Sequence, residues 1–261
     1  MNTASSPPFK LNSSDPKTFR IFGAKRPSPI VVVCDHAGRK IPSALKHLAP
    51  AKMHMKRHIA CDNGARKTAK LIARKLNAPL VVQRYSRLVV DCNRPVDSPQ
   101  SMPPVSDGTA IAFNQNISAS ERQARLQEIF YPYHNAITQE LNQRSDAVPA
   151  LVAIHSFTPY LRNAPYRKWH VDLIARSHQQ FALDMQDALR SEFPHLNIGF
   201  GQVFKLSDET DFTLPNHGES RNIPNISIEV RNDLLANAAG IKAWADALSR
   251  CLTKTIPGQM S

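Results

Sequence analysis

Short apolar segments alternate with helical patterns along most of the chain, and this alternation restricts the fold more than any other feature. Ile30–Cys34 is apolar at every position, which is typical of a strand that is buried on both faces of a sheet. Similar segments lie at Leu80–Gln83, Ala150–Ile154 and Ile198–Phe200. Because strands that alternate with helices form sheets covered on both faces, the pattern predicts a single α/β domain with a mixed, mostly parallel sheet.

The helices are predicted from apolar residues that recur at intervals of three and four. Gly64–Leu76 places its apolar residues on one face of a helix. Ser118 and Glu121 form a capping box that opens a helix extending to about residue 142, which Pro132 should kink or divide. Further elements are predicted as short helices within residues 42–59, strands at 88–91, 171–175 and 226–230, and helices at 179–192 and from 233 onward.

Two segments are predicted to lack regular structure. Residues 93–117 contain four prolines and a Ser-Asp-Gly sequence, which indicates a long loop of the kind that is often functional. Residues 1–28 are rich in Pro, Ser and Lys and predict a flexible N-terminal arm. The α/β domain would then comprise residues 29–261.

No apolar stretch approaches the roughly 18 residues of a membrane span, and the first residues lack the apolar core of a secretory signal. We therefore expect a cytoplasmic protein without a membrane partner. The four cysteines include no C-x-x-C pair, which agrees with a reducing compartment. A thiolate zinc site formed by Cys34, Cys61 and Cys92 is an alternative, although free cysteines are more often small buried residues.

The net charge of +12 arises from 33 Lys and Arg against 21 Asp and Glu. A strongly basic chain can bind nucleic acid, but here the basic residues are scattered and form no stripe interleaved with aromatic residues. We therefore expect no nucleic-acid partner. A positive field favours small anionic substrates instead. The sequence predicts no particular oligomeric state.

Polar residues that could perform chemistry stand where the apolar strands end. His36 and His155 each follow such a strand, and Glu229 ends a third one. Since ligands bind beyond the carboxyl ends of strands in open α/β sheets, these side chains should gather at one edge. Two imidazoles and a carboxylate suit Zn²⁺ or another divalent metal, and histidines that share a metal should have ring nitrogens within about 5 Å of each other.

Each of these residues also has an ordinary structural role open to it. Either strand-end histidine could simply be part of a turn, and Asp62, which precedes a predicted helix, could cap it. His54 and His58 are four residues apart and could bind a metal on one face of a helix, but such pairs more often serve packing or lie at the surface. Arg87 and Arg94 could form ion pairs at the surface, and Glu229 could pair with Arg221 or Arg231.

A set of motifs, ordered along residues 31–235, gives the chain a family resemblance. The motifs are VVVCDHAGRKIP, HIACDNGARKTAKLIARKL, YSRLVVDCNRP, LVAIHSFTP, and NISIEVRNDLL with NHGE upstream of it. In this set the chain resembles the N-formylglutamate amidohydrolase family. The resemblance implies a fold like that of zinc carboxypeptidases and aspartoacylases. It also implies hydrolysis of an N-acyl bond on an amino acid, with formate and glutamate as products.

The resemblance further implies which residues bind the metal. Related zinc enzymes use a His-x-x-Glu pair and a later His, which would correspond here to His36 and His155. The Glu of that pair is missing, because Ala-Gly-Arg follows His36. Asp62, at a junction between a loop and a helix, is expected to supply the third ligand.

The resemblance assigns further residues to catalysis and to the substrate. These are Glu229 as the general base, Arg87 as the group that polarises the scissile carbonyl, Asn93 and Arg94 as the clamp for the substrate carboxylate, and Arg231 or His217 as the partner of a second carboxylate. The expected substrate is therefore a small anionic N-acyl amino acid such as N-formylglutamate.

Three further functions are compatible with the sequence. A broader N-acyl-amino-acid hydrolase or a carboxypeptidase-like peptidase would use the same site. A non-catalytic binding protein that kept the fold is the third, which the missing Glu favours. Serine hydrolase chemistry is disfavoured, because the chain has no G-x-S-x-G motif.

Overall fold

A seven-stranded sheet forms the centre of the molecule. The structure is a computed structural model that describes residues 9–144 and 148–256. The strands within these residues are β1 (Phe19–Phe22), β2 (Ile30–Cys34), β3 (Leu80–Gln83), β4 (Val105–Ser106), β5 (Thr109–Ala110), β6 (Ala150–Phe157), β7 (Val171–Ile174), β8 (Ile198–Phe200) and β9 (Asn225–Arg231). Their order across the main sheet is β1-β3-β2-β6-β9-β7-β8, and β4 and β5 form a separate hairpin.

The central strands β3, β2, β6 and β9 run parallel to one another. Towards the edges, β1 pairs antiparallel with β3, β7 pairs antiparallel with β9, and β8 runs parallel to β7. The carboxyl ends of β2, β6 and β9 therefore meet at one edge, where the register places His155 beside Glu229. This sheet confirms the predicted fold class, a single α/β domain with a mixed, mostly parallel sheet.

Helices cover both faces of the sheet. The helices are α1 (Ala65–Lys75), α2 (Ala119–Arg125), α3 (Tyr131–Asn142), α4 (Gln179–Glu192) and α5 (Ala238–Thr255). Because side chains alternate along a strand, Ile30 and Val32 of β2 pack in an apolar cluster with α1, α4 and α5, whereas Val31 and Val33 pack in a second cluster with α3. Within residues 9–144 and 148–256, no helix has the length and apolar character needed to cross a membrane.

The structure differs from the prediction near the N-terminus. Segment 1–28, expected to be a flexible arm, contains β1, which pairs with β3 along four residues. Phe19 and Ile21 pack against the apolar cluster on the α3 face, and Phe9 is buried in that cluster. These contacts offset the conformational entropy lost on ordering the segment. Residues 1–8 of the expected arm lie outside the described residues.

Residues 88–91, predicted as a strand, form a buried turn instead. The carbonyl groups of Leu88 and Val89 bind side chains rather than a neighbouring strand. Asn114 donates to the carbonyl of Leu88 at 2.9 Å, and Arg125 donates to the carbonyl of Val89 at 3.3 Å. Arg125 is fully buried, so these bonds satisfy polar groups that water does not reach.

The helix predicted to follow Ser118 changes from an α-helix to a π-helical turn just before Pro132. Ser118 Oγ accepts the backbone N–H of Glu121 at 3.1 Å, which is half of the predicted capping box. α2 then passes into a wider π-helical turn at Leu126–Phe130, and α3 begins with Pro132 in its first turn. Proline has no N–H to donate, and the π-helical turn just before it changes the hydrogen-bonding pattern, with the N–H of Tyr131 bonded to the carbonyl of Leu126.

Candidate metal centre and active-site cleft

Three side chains converge at the carboxyl edge of the sheet. His36 follows β2, His155 lies in β6, and Asp62 precedes α1. Oδ2 of Asp62 lies 2.9 Å from Nδ1 of His155 and 3.4 Å from Nδ1 of His36. One potential ligand atom from each residue lies within 4.8 Å of the other two. The two histidines therefore meet the separation of about 5 Å expected of residues that share a metal.

The loop that carries Asp62 is fixed to both strands. The N–H of Asp62 donates to the carbonyl of His36 at 3.0 Å, next to β2. Oδ2 of Asp62 accepts the N–H of Ser156, in β6, at 3.3 Å. His36, Asp62 and His155 are each at most 5% exposed. The positions of these side chains are therefore set by the sheet rather than by a mobile surface loop.

A second carboxylate lies behind each histidine. Nε2 of His36 is 2.7 Å from Oδ1 of Asp91, and Nε2 of His155 is 3.0 Å from Oδ2 of Asp35. Histidines that bind metals in proteins usually make such a contact with the ring nitrogen that faces away from the metal. Each ring thus has Nδ1 turned towards Asp62 and Nε2 held by another carboxylate.

Asp35 and Asp91 are held in place in turn. Oδ1 of Asp35 accepts the hydroxyl of Tyr133 at 2.7 Å, and Arg87 donates through Nε to Oδ2 of Asp91 at 2.9 Å. Sequence reasoning did not assign either carboxylate to the site. One feature of the sequence could have indicated Asp35: it directly precedes His36 in the first motif.

The carboxylates and imidazoles stabilise each other's charges. Burial opposes the charged form of His155, but its hydrogen bonds to Asp35 and Asp62 raise its pKa well above the ordinary value. Burial would likewise raise the pKa of Asp35, yet the contact with His155 lowers it to about 2. The pKa of Asp62 falls far below its usual range for the same reason, with His36 as the largest opposing influence. The cluster is therefore built to hold positive charge between its carboxylates.

The donor set fits a divalent metal. Two protons on the imidazoles of His36 and His155 carry the same positive charge as one divalent ion, so an ion could replace them without upsetting the charge balance. Two imidazole nitrogens and one carboxylate oxygen, with room for a water molecule, form a donor set that catalytic Zn²⁺ sites use. His36, Asp62 and His155 are the residues that would hold the ion.

A cavity of about 220 Å³ opens next to this cluster. His36, Asp62 and Glu229 all line it, and Glu229 is only partly buried. Burial raises the pKa of Glu229 to about 7, although the neighbouring His155 opposes this shift. A carboxyl group with a pKa near neutrality can both accept and return a proton at physiological pH.

Arg87, Asn93 and Arg94 also line the cavity, in three different ways. Arg87 is anchored by Asp91, with Nη2 2.6 Å from Oδ2. Arg94 donates to the carbonyl of Thr210 at 2.5 Å. Asn93 uses Oδ1 to accept the backbone N–H of Thr213 at 2.9 Å. Asn93 therefore holds the loop around Thr213 on the opposite side of the cavity. The sequence had predicted that Asn93 would contact the substrate directly.

The structure does not bring His217 or Arg231 to this cavity, and neither contact expected with a second substrate carboxylate is supported. Nε2 of His217 lies 2.9 Å from Nδ1 of the buried His134. Arg231 donates from Nε to Asp233 at 2.9 Å and from Nη1 to the hydroxyl of Tyr166 at 2.9 Å. The ring nitrogen of His217 thus contacts His134, and the guanidinium of Arg231 binds Asp233 and Tyr166.

The remaining candidate metal ligands do not assemble either. His54 lies in a short 3₁₀ turn that ends at Lys56, so His54 and His58 do not share a helix face. Each instead lies near a different group: Nδ1 of His54 is 3.3 Å from Arg57, and Nε2 of His58 is 3.9 Å from Asp107. Among the described residues, the cluster of potential ligands contains His36, Asp62 and His155 but no cysteine.

Comparison with solved structures shows close likeness in fold. A gene product of Agrobacterium tumefaciens is 30% identical, with a TM-score of 0.89 over 94% of this chain and 97% of that chain. An N-formylglutamate amidohydrolase from Ralstonia eutropha JMP134 is 16% identical, with a TM-score of 0.67 over 91% of this chain and 96% of that chain. The second likeness concerns the fold alone. A comparison with curated protein sequences found no significant match.

The sequence also matches a family model. The model describes N-formylglutamate amidohydrolase and matches residues 28–236, a range that includes the two histidines, the surrounding carboxylates and Glu229. Most of the chain is therefore covered by the match. The protein belongs to the N-formylglutamate amidohydrolase family and is a hydrolase that acts on amide C–N bonds.

Proposed function

We propose that the protein is a metal-dependent amidohydrolase that removes the N-formyl group from an acidic amino acid such as N-formylglutamate, giving formate and glutamate. The observation that carries this proposal is the cluster of His36, Asp62 and His155 beside the cavity that Glu229 lines. Family membership supports the amide bond as the target. Cytoplasmic location and the lack of a nucleic-acid partner stay predictions.

The metal would be Zn²⁺ or another divalent ion, held by Nδ1 of both histidines and by Asp62. When bound, such an ion lowers the pKa of a water molecule and polarises a carbonyl oxygen. Asp91 and Asp35 fix the orientation of the two rings by accepting hydrogen bonds at Nε2. With Nε2 bound in this way, Nδ1 of each ring is the nitrogen at which an ion could replace a proton.

Glu229 moves the proton in the proposed reaction. Its carboxylate takes a proton from the attacking water as the water oxygen bonds to the acyl carbon. The C–N bond then breaks, Glu229 returns the proton to the leaving nitrogen, and the acid and the amine are released. Arg87 lies on the same cavity and donates to the oxyanion that forms, a contribution of about 3–4 kcal/mol for each such donor.

The cavity also suits an anionic substrate. Arg87, Arg94 and Lys205 line it, and their positive charges attract a carboxylate. We assign the α-carboxylate of the substrate to Arg94. Asn93 supports this contact indirectly, because it holds the loop that contains Thr210, which in turn accepts a hydrogen bond from Arg94.

A broader N-acyl-amino-acid hydrolase is a second candidate, and one observation favours it. A further cavity of about 490 Å³ shares Asp62, Arg87 and Arg94 with the first one. This adjoining space is larger than a formyl group requires. Acyl groups longer than formyl would therefore find room next to the reacting centre.

Two measurements test the proposal together. The purified protein, reconstituted with Zn²⁺, should hold about one ion per chain by elemental analysis and should release glutamate from N-formylglutamate. N-Acetylglutamate, assayed in parallel, separates a formyl-specific enzyme from the broader hydrolase. A protein that binds no divalent ion and hydrolyses neither substrate would instead be a binding protein that kept the fold.

A further inference from the structure

Arg167 is a partly buried arginine beside the cleft that pairs with no carboxylate among the described residues. Arg87 pairs with Asp91, and Arg94 lies 4.0 Å from Asp211. Arg167 is partly buried, yet within the described ranges 9–144 and 148–256 no carboxylate forms an ion pair with it. Arg167 donates from Nη1 to the carbonyl of Thr158 at 3.4 Å, and the remaining N–H groups of its guanidinium could bind a carboxylate from outside the chain.

The position of Arg167 is well defined. Its guanidinium carbon lies 5.2 Å from the centre of the Phe204 ring, a separation at which a cation is attracted to an aromatic face. The loop that carries Phe204 is tied down by the fully buried Asp172, which accepts the N–H groups of Gln202 at 3.0 Å and Val203 at 2.7 Å. Arg167 thus packs on a ring whose loop is held by hydrogen bonds, which lowers the cost of ordering its side chain when it binds a ligand.

Arg167 also lies within reach of the reacting centre. It lines the adjoining cavity of about 490 Å³ together with Asp62 and Arg87, and Phe204 lines both this cavity and the one that contains Glu229. Burial lowers the pKa of Arg167, and the charge of Glu229 acts in the opposite direction. A substrate whose acyl carbon lies beside Glu229 could therefore extend its side chain towards Arg167.

We propose that Arg167 binds the side-chain carboxylate of the substrate and makes the enzyme select N-acyl derivatives of acidic amino acids. This inference rests on the proposed function of the cleft. It gives a second carboxylate the partner that neither His217 nor Arg231 provides. The planar fork of a guanidinium donates two parallel hydrogen bonds to one carboxylate, so a neutral amide in the same place would bind more weakly.

The test compares N-formylglutamate with N-formylglutamine, which has nearly the same shape but no side-chain charge. Arg167→Ala should lower kcat/KM for N-formylglutamate about 10- to 100-fold, mainly through KM, which is the range expected when a hydrogen-bonded charge is lost. The same change should alter kcat/KM for N-formylglutamine by less than about threefold. Arg162→Ala is the matched control, because Arg162 lines the same cavity but is exposed, and it should affect neither substrate.

A charge reversal gives a second, independent readout. Arg167→Glu should lose activity on N-formylglutamate and gain activity on N-formyl-lysine relative to the wild type, since the new carboxylate would attract an ammonium group. Equal losses of Arg167→Ala on the glutamate and glutamine substrates would overturn the inference and leave the proposed function intact. If the wild type hydrolysed neither substrate, both the proposed function and this inference would be overturned. If Arg167→Ala fails to fold, Arg167→Gln replaces it in the same comparison.

Discussion

The buried pair of His134 and His217 should make the protein sensitive to acid. Nδ1 of His134 and Nε2 of His217 are 2.9 Å apart, and Nε2 of His134 lies 2.8 Å from the carbonyl of Cys92. Phe130 and Phe212 pack against the His134 ring. With both rings neutral, each short contact has one donor and one acceptor, whereas protonation of both would place two N–H groups against each other.

Burial lowers the pKa of both histidines. That of His134 falls from 6.5 to about 4, and that of His217 falls to about 3, with the neighbouring His134 as a further cause. At these two histidines the unfolded chain therefore binds more protons than the folded protein below about pH 6.5, and their contribution to stability falls as the pH is lowered. Between pH 8 and pH 5, each histidine should remove about 2 kcal/mol from the free energy of unfolding. Together they would remove about 4 kcal/mol from a total that is typically about 5–15 kcal/mol.

Urea unfolding at pH 8 and pH 5 measures this loss. His134→Gln and His217→Gln should each reduce the difference between the two pH values by about 2 kcal/mol, even if the variants are less stable at both. His47→Gln, which replaces an exposed histidine, is the control. A difference between pH 8 and pH 5 that is the same in the wild type and in both pair variants would refute the neutral buried pair.

Four further predictions concern the cleft. Glu229→Gln keeps the size of the side chain but cannot accept a proton, so kcat should fall by about 10²–10⁴ while zinc content stays unchanged; an active variant would remove Glu229 as the base. Asp62→Asn should lower zinc occupancy in elemental analysis, and full occupancy would exclude Asp62 as a ligand. Asp91→Asn should weaken zinc binding about 10- to 100-fold in a chelator competition, whereas exposed Asp97→Asn should not. Arg94→Ala should raise KM for an N-formyl amino acid far more than for its α-amide, and equal effects would indicate a structural role.

The framework of the fold was predictable because its signals are local. β2, β3, β8 and α4 have the bounds that apolar runs and helical periodicity predict. A segment buried on both faces must be apolar throughout, so its ends are visible in the sequence. β1 gave no such signal, because its four residues are only partly buried and include the exposed Arg20. Its pairing with β3, which follows about 60 residues later in the chain, decides its structure.

The site was predictable only where chemistry and strand ends coincide. His36 and His155 stand at the ends of apolar strands, and the topology of a parallel sheet brings such ends together. The two carboxylates behind the rings could not be assigned, because which Asp faces Nε2 depends on contacts across 55 residues for Asp91 and 120 residues for Asp35. His217 was expected to contact the substrate because it lies in a polar motif. In the structure its ring nitrogen instead contacts His134 of α3, and this contact is not visible in the sequence.

The turn after His36 explains why Asp62, rather than a residue close to His36 in sequence, is the third candidate ligand. In the His-x-x-Glu arrangement the carboxylate would stand at residue 39, which here is an exposed arginine that donates to Asn63. Between His36 and Arg39, the backbone at Gly38 packs closely against the backbone of Arg84. A Cβ placed on Gly38 would lie 2.1 Å from the carbonyl carbon of Arg84. This close approach is fixed by the hydrogen bond from the N–H of Lys40 to the carbonyl of Arg84 at 3.2 Å.

Residue 39 is exposed, and its side chain binds Asn63 rather than either histidine. The carboxylate has to come from another segment that touches β2 at the same point. Asp62 meets this requirement because its own N–H binds the carbonyl of His36 at 3.0 Å, which places its side chain between Nδ1 of His36 and Nδ1 of His155. In place of the Glu of a His-x-x-Glu pattern, the carboxylate beside His36 and His155 is therefore that of Asp62, on the loop before α1.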